Sequence, residues 1–315
     1  MPSLLRRALA PRPALPGWET LHDFADRWRA QPTAGVVTDL DGTALQERAG
    51  RSVVPRAIAD GLRAVHRAHR PVIIDTLRFP MSVMREIAPD WLRHAGLPIP
   101  LVAMKGSQIG QITAAASGLL RFEETAAYPL QPEEIVEVLD GVDGLLRDGV
   151  DELRVFFYPR NWQVGEQIWT PRPAHLSEVL QKYPSASRVI AGPLATLRAQ
   201  LLATEICMIF LLIDAPQDRL MAYQHTHRTS FFTHAGVDKR SGAEHLAARL
   251  GVDLACSVGA GDAPPDTFLS GVGLAVIVGN AELDYKGLEQ TLRLPDPAAF
   301  GALLARLSTP DAKRR

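Results

Sequence analysis

The chain is 315 residues long, 46% hydrophobic and 22% charged, enough for about two domains and a large buried core. Its 34 basic and 35 acidic side chains leave a formal charge of −1, which excludes the global basic bias of a nucleic-acid-binding or membrane-surface protein. No apolar run approaches the roughly 20 residues needed to span a bilayer, and the two cysteines, Cys207 and Cys256, lie in apolar strand-like runs that predict buried free thiols in a reducing cytoplasm.

Met1 to Gly17 carries Arg6, Arg7 and Arg12, no acid and four prolines. It lacks the continuous apolar core of a signal peptide, so it reads as a poorly ordered arm. Trp18 to Trp28 places Leu21, Phe24, Ala25 and Trp28 at helical spacing, predicting an amphipathic helix that docks on the core or on a second copy of the chain, as a homodimer would require. Val36-Val37 is a short buried strand, and Pro55 opens a helix with an apolar stripe of Ile58, Leu62, Val65 and His66. That helix returns the chain for a parallel strand at Val72 to Ile74. A short helix over Met81 to Ile87 and a third strand over Pro100 to Met104 follow.

From about Gln111 to Ala235 the pattern changes. Paired strands are expected at Gln111 to Thr113 and Gly118 to Phe122, helices at Gln131 to Leu146, His175 to Lys182 and Pro193 to Ala203, and strands at Leu153 to Tyr158 and Cys207 to Ile213. Beyond it come a helix over Ser241 to Leu250 stopped by Gly251, and strands ending at Ser257-Val258 and at Val278. The expected architecture is α/β, a Rossmann-like parallel sheet with an inserted α+β cap. Its boundaries are 1–34 for the arm and first helix, 35–112 for the first part of the core, 113–235 for the cap and 236–315 for the second part of the core.

The chemistry concentrates where strands run out. Val36-Val37-Thr38-Asp39-Leu40-Asp41-Gly42-Thr43 delivers two carboxylates, two residues apart and pointing the same way, into a glycine turn. Taken alone, Asp-x-Asp also fits an ordinary strand-ending turn. Val72-Ile73-Ile74-Asp75-Thr76-Leu77-Arg78 adds a hydroxyl and a guanidinium, Asp238-Lys239 precedes a helix, and Gly259-Ala260-Gly261-Asp262-Ala263-Pro264-Pro265-Asp266 adds two more carboxylates. Arg78 reads either as a surface charge or as a substrate contact.

These pieces, in this order, resemble the haloacid dehalogenase superfamily of phosphohydrolases. Asp39 and Asp41 match its first motif, Thr76 the second, Lys239 the third, and Gly261, Asp262 and Asp266 the fourth. The long stretch before Lys239 is similar to the large cap of Cof-type sugar phosphatases and sucrose-phosphate phosphatase, and Gly279-Asn280-Ala281 with Lys286 to the Cof-type ending. The sequence departs from that pattern at Asp75, where relatives carry a small or apolar residue. It departs again at Pro265, where they place Asn, and at Lys105-Gly106-Ser107, where they have Asn-Gly-Ala.

The resemblance implies an Mg²⁺-dependent phosphomonoester hydrolase acting on a small phosphorylated metabolite, a sugar phosphate first of all. Asp39 is the implied nucleophile and Asp41 the acid and base; Thr76, Gly42 and Lys239 hold and neutralise the phosphoryl group. Asp39, Asp262, the main-chain carbonyl of Asp41, and Asp266 directly or through water are the implied Mg²⁺ ligands, an all-oxygen set that suits this ion. Arg78, Arg160 and Asn280 are the further candidate substrate contacts, Arg160 within Tyr158-Pro159-Arg160-Asn161-Trp162, which otherwise reads as a solvated loop with a core Trp. His225, His227 and His234 invite a metal reading, but no acid or Cys completes that site in the sequence. Two other functions remain open, a sugar phosphomutase of the same fold and a ligand-binding regulatory protein with weak turnover. Nucleic-acid and membrane partners are not expected.

Overall fold

The computed structural model describes residues 15, 17–150, 152–213 and 229–309. The arm at 1–14 and the histidines His225 and His227 lie outside the described residues. In chain order the first segment contains α1 (His22–Ala30), β1 (Val36–Thr38) and a small hairpin, β2 (Gln46–Arg48) with β3 (Arg51–Val53). It continues through α2 (Arg56–Arg67) and β4 (Val72–Asp75) to a helical run of α3 (Pro80–Ser82), a π-helical turn (Val83–Ile87) and α4 (Ala88–Ala95). Next come β5 (Ile99–Ala103), β6 (Gln108–Ala114) and β7 (Leu120–Ala127).

A second group comprises α5 (Pro132–Arg147), β8 (Leu153–Pro159), β9 (Gln167–Thr170), α6 (Leu176–Lys182), β10 (Arg188–Ala191), α7 (Leu194–Ala203), β11 (Ile206–Ile213) and β12 (Thr229–Phe232). The chain closes with α8 (Lys239–Leu250), β13 (Val258–Gly261), β14 (Leu274–Val278), β15 (Gln290–Leu294) and α9 (Pro297–Leu307).

Among the described residues, eight strands form one sheet in the order β15-β14-β13-β1-β4-β5-β6-β7. The first six are parallel; β6 and β7 extend the edge as an antiparallel hairpin. β1, β4, β5, β13 and β14 are buried along their length, as strands covered by helices on both faces must be. From β1 the chain proceeds one way through β4 to β5, and later the other way through β13 to β15. The direction reverses between β1 and β13, where open α/β sheets leave a crevice at the carboxyl ends of their strands.

A separate sheet, β10-β9-β8-β11-β12, packs under α5 and α7 around Leu139, Val155, Phe157, Trp169 and Leu197. The expected boundary at 112/113 falls inside β6, because Ile109, Ile112 and Phe122 bury against the main sheet and keep the hairpin with it. The five-stranded sheet begins after Tyr128, whose backbone N–H still bonds to Ser107 O.

Several elements differ from the periodic reading for clear reasons. Pro89 hides the continuation of the helix expected over Met81 to Ile87, although proline is well placed at the start of α4. In α2 Ile58, Leu62 and Val65 are buried, but His66 is exposed. The helix from His22 docks on the core through Leu21, Phe24, Ala25 and Trp28, with the Arg70 guanidinium stacked over Trp28 at 4.9 Å.

Candidate active site

Asp39 is the first residue past β1, held there by its backbone N–H bonding to Ala260 O of β13 at 2.9 Å. The side chain is almost wholly buried. Lys239 opens α8, where Asp238 and Ser241 form a reciprocal capping box that fixes the first turn. From that position the Lys239 Nζ donates to Asp39 Oδ1 at 2.7 Å and to Asp266 Oδ1 at 2.6 Å. The other Asp266 oxygen accepts the backbone N–H groups of Asp262 and Ala263 at 2.8 and 2.9 Å, closing the turn after β13. Pro265, far from loosening this turn, leaves Asp266 fully buried with both oxygens engaged.

Gly42 adopts φ +79, and a Cβ there would lie 2.0 Å from Asp262 Oδ2, so only glycine admits this carboxylate. Asp262 also accepts the Thr43 hydroxyl at 3.1 Å, a buried contact that sequence reasoning missed because Thr43 reads as a plain turn residue. One oxygen from each of Asp39, Asp262 and Asp266 lies within 4.8 Å of the others. Two of these carboxylates bond to the Lys239 ammonium and the third lies beside them; an all-oxygen donor set of this kind fits a hard divalent cation.

The electrostatics follow from burial. Burial works against the Lys239 charge, but Asp39 and Asp266 outweigh it and raise its pKa, so it stays an ammonium. Asp39 is pushed upward by burial and by Asp266, with Lys239 opposing. Asp262 is raised too, chiefly by burial. For Asp39 and Asp262 burial outweighs the help that Lys239 gives, whereas Lys239 draws on more than one carboxylate.

Asp41 projects outward, its side chain about half exposed, and Arg78 clamps it with Nε to Oδ2 at 2.7 Å and Nη2 to Oδ1 at 2.6 Å. Arg78 also bonds to Glu86 at 2.6 Å and to Ser52 at 2.8 Å. Thr76 is buried at the end of β4, and its Oγ1 accepts the Arg78 N–H at 3.2 Å. Asn280 is exposed just past β14, on the same carboxyl edge of the sheet. Arg160 is elsewhere: at the end of β8 it pairs with Glu124 at 2.8 Å and Glu205 at 3.2 Å, and none of its bonds reaches the Asp39 cluster. His234 bonds to Glu134 at 3.0 Å, an acid the sequence did not associate with it.

Solved structures reproduce this arrangement of sheet and inserted layer. A phosphatase of the haloalkanoate (HAD) enzyme superfamily from Bacteroides thetaiotaomicron aligns with 89% of this chain and 96% of its own at 17% identity and a TM-score of 0.59. A subclass IIB sugar phosphatase of the superfamily aligns with 87% of this chain and 98% of its own, at 14% identity and a TM-score of 0.61. The chain has the haloacid dehalogenase fold. A haloacid dehalogenase-like hydrolase from B. subtilis shares it at 17% identity and a TM-score of 0.60, over 86% of this chain and 98% of that one. No family model matches the sequence, and no curated protein matches it either. In HAD-fold terms the eight-stranded sheet is the core and the five-stranded sheet the cap.

Proposed function

We propose that the protein is an Mg²⁺-dependent phosphomonoester hydrolase acting on a sugar phosphate through an aspartyl-phosphate. The observation that carries this reading is Lys239 bridging Asp39 and Asp266 beside Asp262, at the crevice where the sheet reverses direction. Asp39, Asp262 and the main-chain carbonyl of Asp41 would hold Mg²⁺, with Asp266 supporting the turn. Once bound, Mg²⁺ supplies positive charge that offsets repulsion between the carboxylates and a phosphate dianion.

Asp39 attacks phosphorus and Asp41 protonates the departing oxygen; in the second half-reaction Asp41 takes a proton from water. Both Asp41 oxygens accept from Arg78 here, so Asp41 delivers its proton only after this clamp shifts. Thr76 and the backbone near Gly42 orient the phosphoryl oxygens.

A cavity of about 310 Å³ between the helical run after β4 and the five-stranded sheet supports a hydroxyl-rich leaving group. Arg78 and Arg85 meet Tyr158, Glu166 and Phe210 there. The Tyr158 hydroxyl donates to Glu166 at 2.7 Å, a polar pair set among aromatic faces, which suits a sugar ring.

The deciding experiment is phosphate release from a panel of sugar and other metabolite phosphates, with and without Mg²⁺, for the native protein and Asp39→Asn. Turnover that needs Mg²⁺ and falls to background in the variant is expected. Release that persists in Asp39→Asn would rule out Asp39 as nucleophile.

A further inference from the structure

Asp75 takes no part in the chemistry above, yet it lies beside it. Ile74 pairs with Thr38, so Asp75 and Asp39 are the next residues on adjacent parallel strands. Val37 and Ile73, two residues earlier on each strand, pack with Ala243 and Leu246 of α8, so alternation places Asp39 and Asp75 on the face that α8 covers. Asp75 is completely buried, and neither of its carboxyl oxygens has a hydrogen-bond partner among the described residues. The charged groups acting on it are Lys239, Asp266, Asp39 and Asp238.

Lys239 uses two of its three N–H donors, on Asp39 and Asp266. A buried acceptor without a donor is costly and calls for an explanation. Here the explanation is a partner used at only one stage of the cycle.

We propose that Asp75 is a positioning residue, the acceptor that Lys239 takes up when Asp39 is phosphorylated. The inference rests on the hydrolase reading. In the first step a bond forms between an Asp39 carboxylate oxygen and phosphorus, the ester P–O bond breaks, and the departing oxygen receives the Asp41 proton. Asp39 is then an acyl phosphate, whose carbonyl is a weaker acceptor than the carboxylate it replaces. Asp75 substitutes for it and keeps the ammonium aimed while water attacks phosphorus. The water's proton goes to Asp41, the phosphorus–Asp39 bond breaks, and its electron pair returns to the Asp39 carboxylate. Burial pushes the Asp75 pKa upward and so disfavours a further negative charge in a pocket that must admit a dianion.

The test compares native protein with Asp75→Val and Asp75→Asn, using the best substrate of the panel, steady-state kinetics and acid-quenched measurement of enzyme-bound phosphate. Asp75→Val is expected to lower kcat about tenfold or more at unchanged KM, while the phosphoenzyme fraction rises. Asp75→Asn, which keeps a neutral carbonyl, is expected to restore both. A Val variant with native kcat and native phosphoenzyme overturns the proposal. An Asn variant as impaired as the Val variant overturns it too, because a neutral acceptor would then not suffice. Absence of phosphate release from the native protein is a separate failure, since it overturns the hydrolase reading and the Asp75 role falls with it.

Discussion

Lys239 is the cation around which the candidate site is built, and its removal has a calculable consequence. Asp39 and Asp266 would remain buried without their counter-charge, so Lys239→Met is expected to cost about 3–5 kcal/mol near neutral pH and to abolish turnover. Urea denaturation measures this, and the deficit should shrink at lower pH as the stranded carboxylates take up protons. Asp75 makes an opposite prediction. Its folded-state pKa is raised, so above pH 3.8 the native state keeps a proton that the unfolded chain has lost. The stability this group contributes is present below that pH and is lost as pH rises. Asp75→Val should therefore melt higher than the native protein by about 1–3 kcal/mol, and the gap should widen with pH. Melting curves that stay parallel across pH would contradict the assignment. Gly42→Ala would place a methyl against Asp262 in a left-handed backbone, and a cost of about 1–2 kcal/mol with loss of Mg²⁺-dependent turnover is expected from denaturation and activity assays. At this scale Asp39, Asp41, Lys239, Asp262 and Asp266 were legible as candidates through the resemblance that their order along the chain bears to the superfamily's motifs; taken alone, Asp-x-Asp reads as a turn and Lys239 as a solvated charge. The partners of Arg78 and Arg160 were not. Asp41 lies 37 residues before Arg78, and Glu124 lies 36 before Arg160, with no periodicity linking either pair.

The elements explain how the charges reach their places. α8 begins at Lys239 because Asp238 accepts the Ser241 N–H at 2.8 Å and Ser241 reciprocates at 3.0 Å. Asp238→Ala should cost about 0.5–2 kcal/mol, and it should lower kcat by more than that stability loss explains, since the turn carrying Lys239 is released. Activity at temperatures well below the melting point separates the two effects. The capping box holds a second relation. Met104, Lys105 and Gly106 adopt successive positive φ values of 51, 60 and 100, and a Cβ on Gly106 would lie 2.2 Å from Asp238 O. The turn after β5 is thus bent to let the start of α8 approach, and Lys105 N–H bonds to Thr76 O at 3.2 Å. Local strain of this kind concentrates at functional sites. Sequence periodicity found α2, α5 and α7 to within a few residues, yet it missed β9, β10 and β15. Gln167–Thr170 and Arg188–Ala191 are four-residue strands, too short to show an alternation of their own.

In the whole molecule, Asp39, Asp262 and Asp266 form an acidic cluster at the carboxyl ends of the strands of the eight-stranded sheet. A divalent cation bound there would stabilise the native state alone, so Mg²⁺ at about 100 times its dissociation constant should add about 2.7 kcal/mol. Calorimetry with Mg²⁺ and after chelation tests this, and Asp262→Asn should remove most of the shift. Among the described residues no helix is long and apolar enough to cross a membrane. The sequence by itself determined the α/β alternation, the buried strands and the carboxylates and hydroxyl that follow them, because these depend on neighbours within a few residues. Only the tertiary structure decided the order of the strands, the inclusion of β6 and β7 in the main sheet, the Arg78 clamp on Asp41 and the placing of Asp75 beside Asp39. Those depend on which strands pair and which faces helices cover, and the free energy of such contacts is set by burial between residues far apart in the chain.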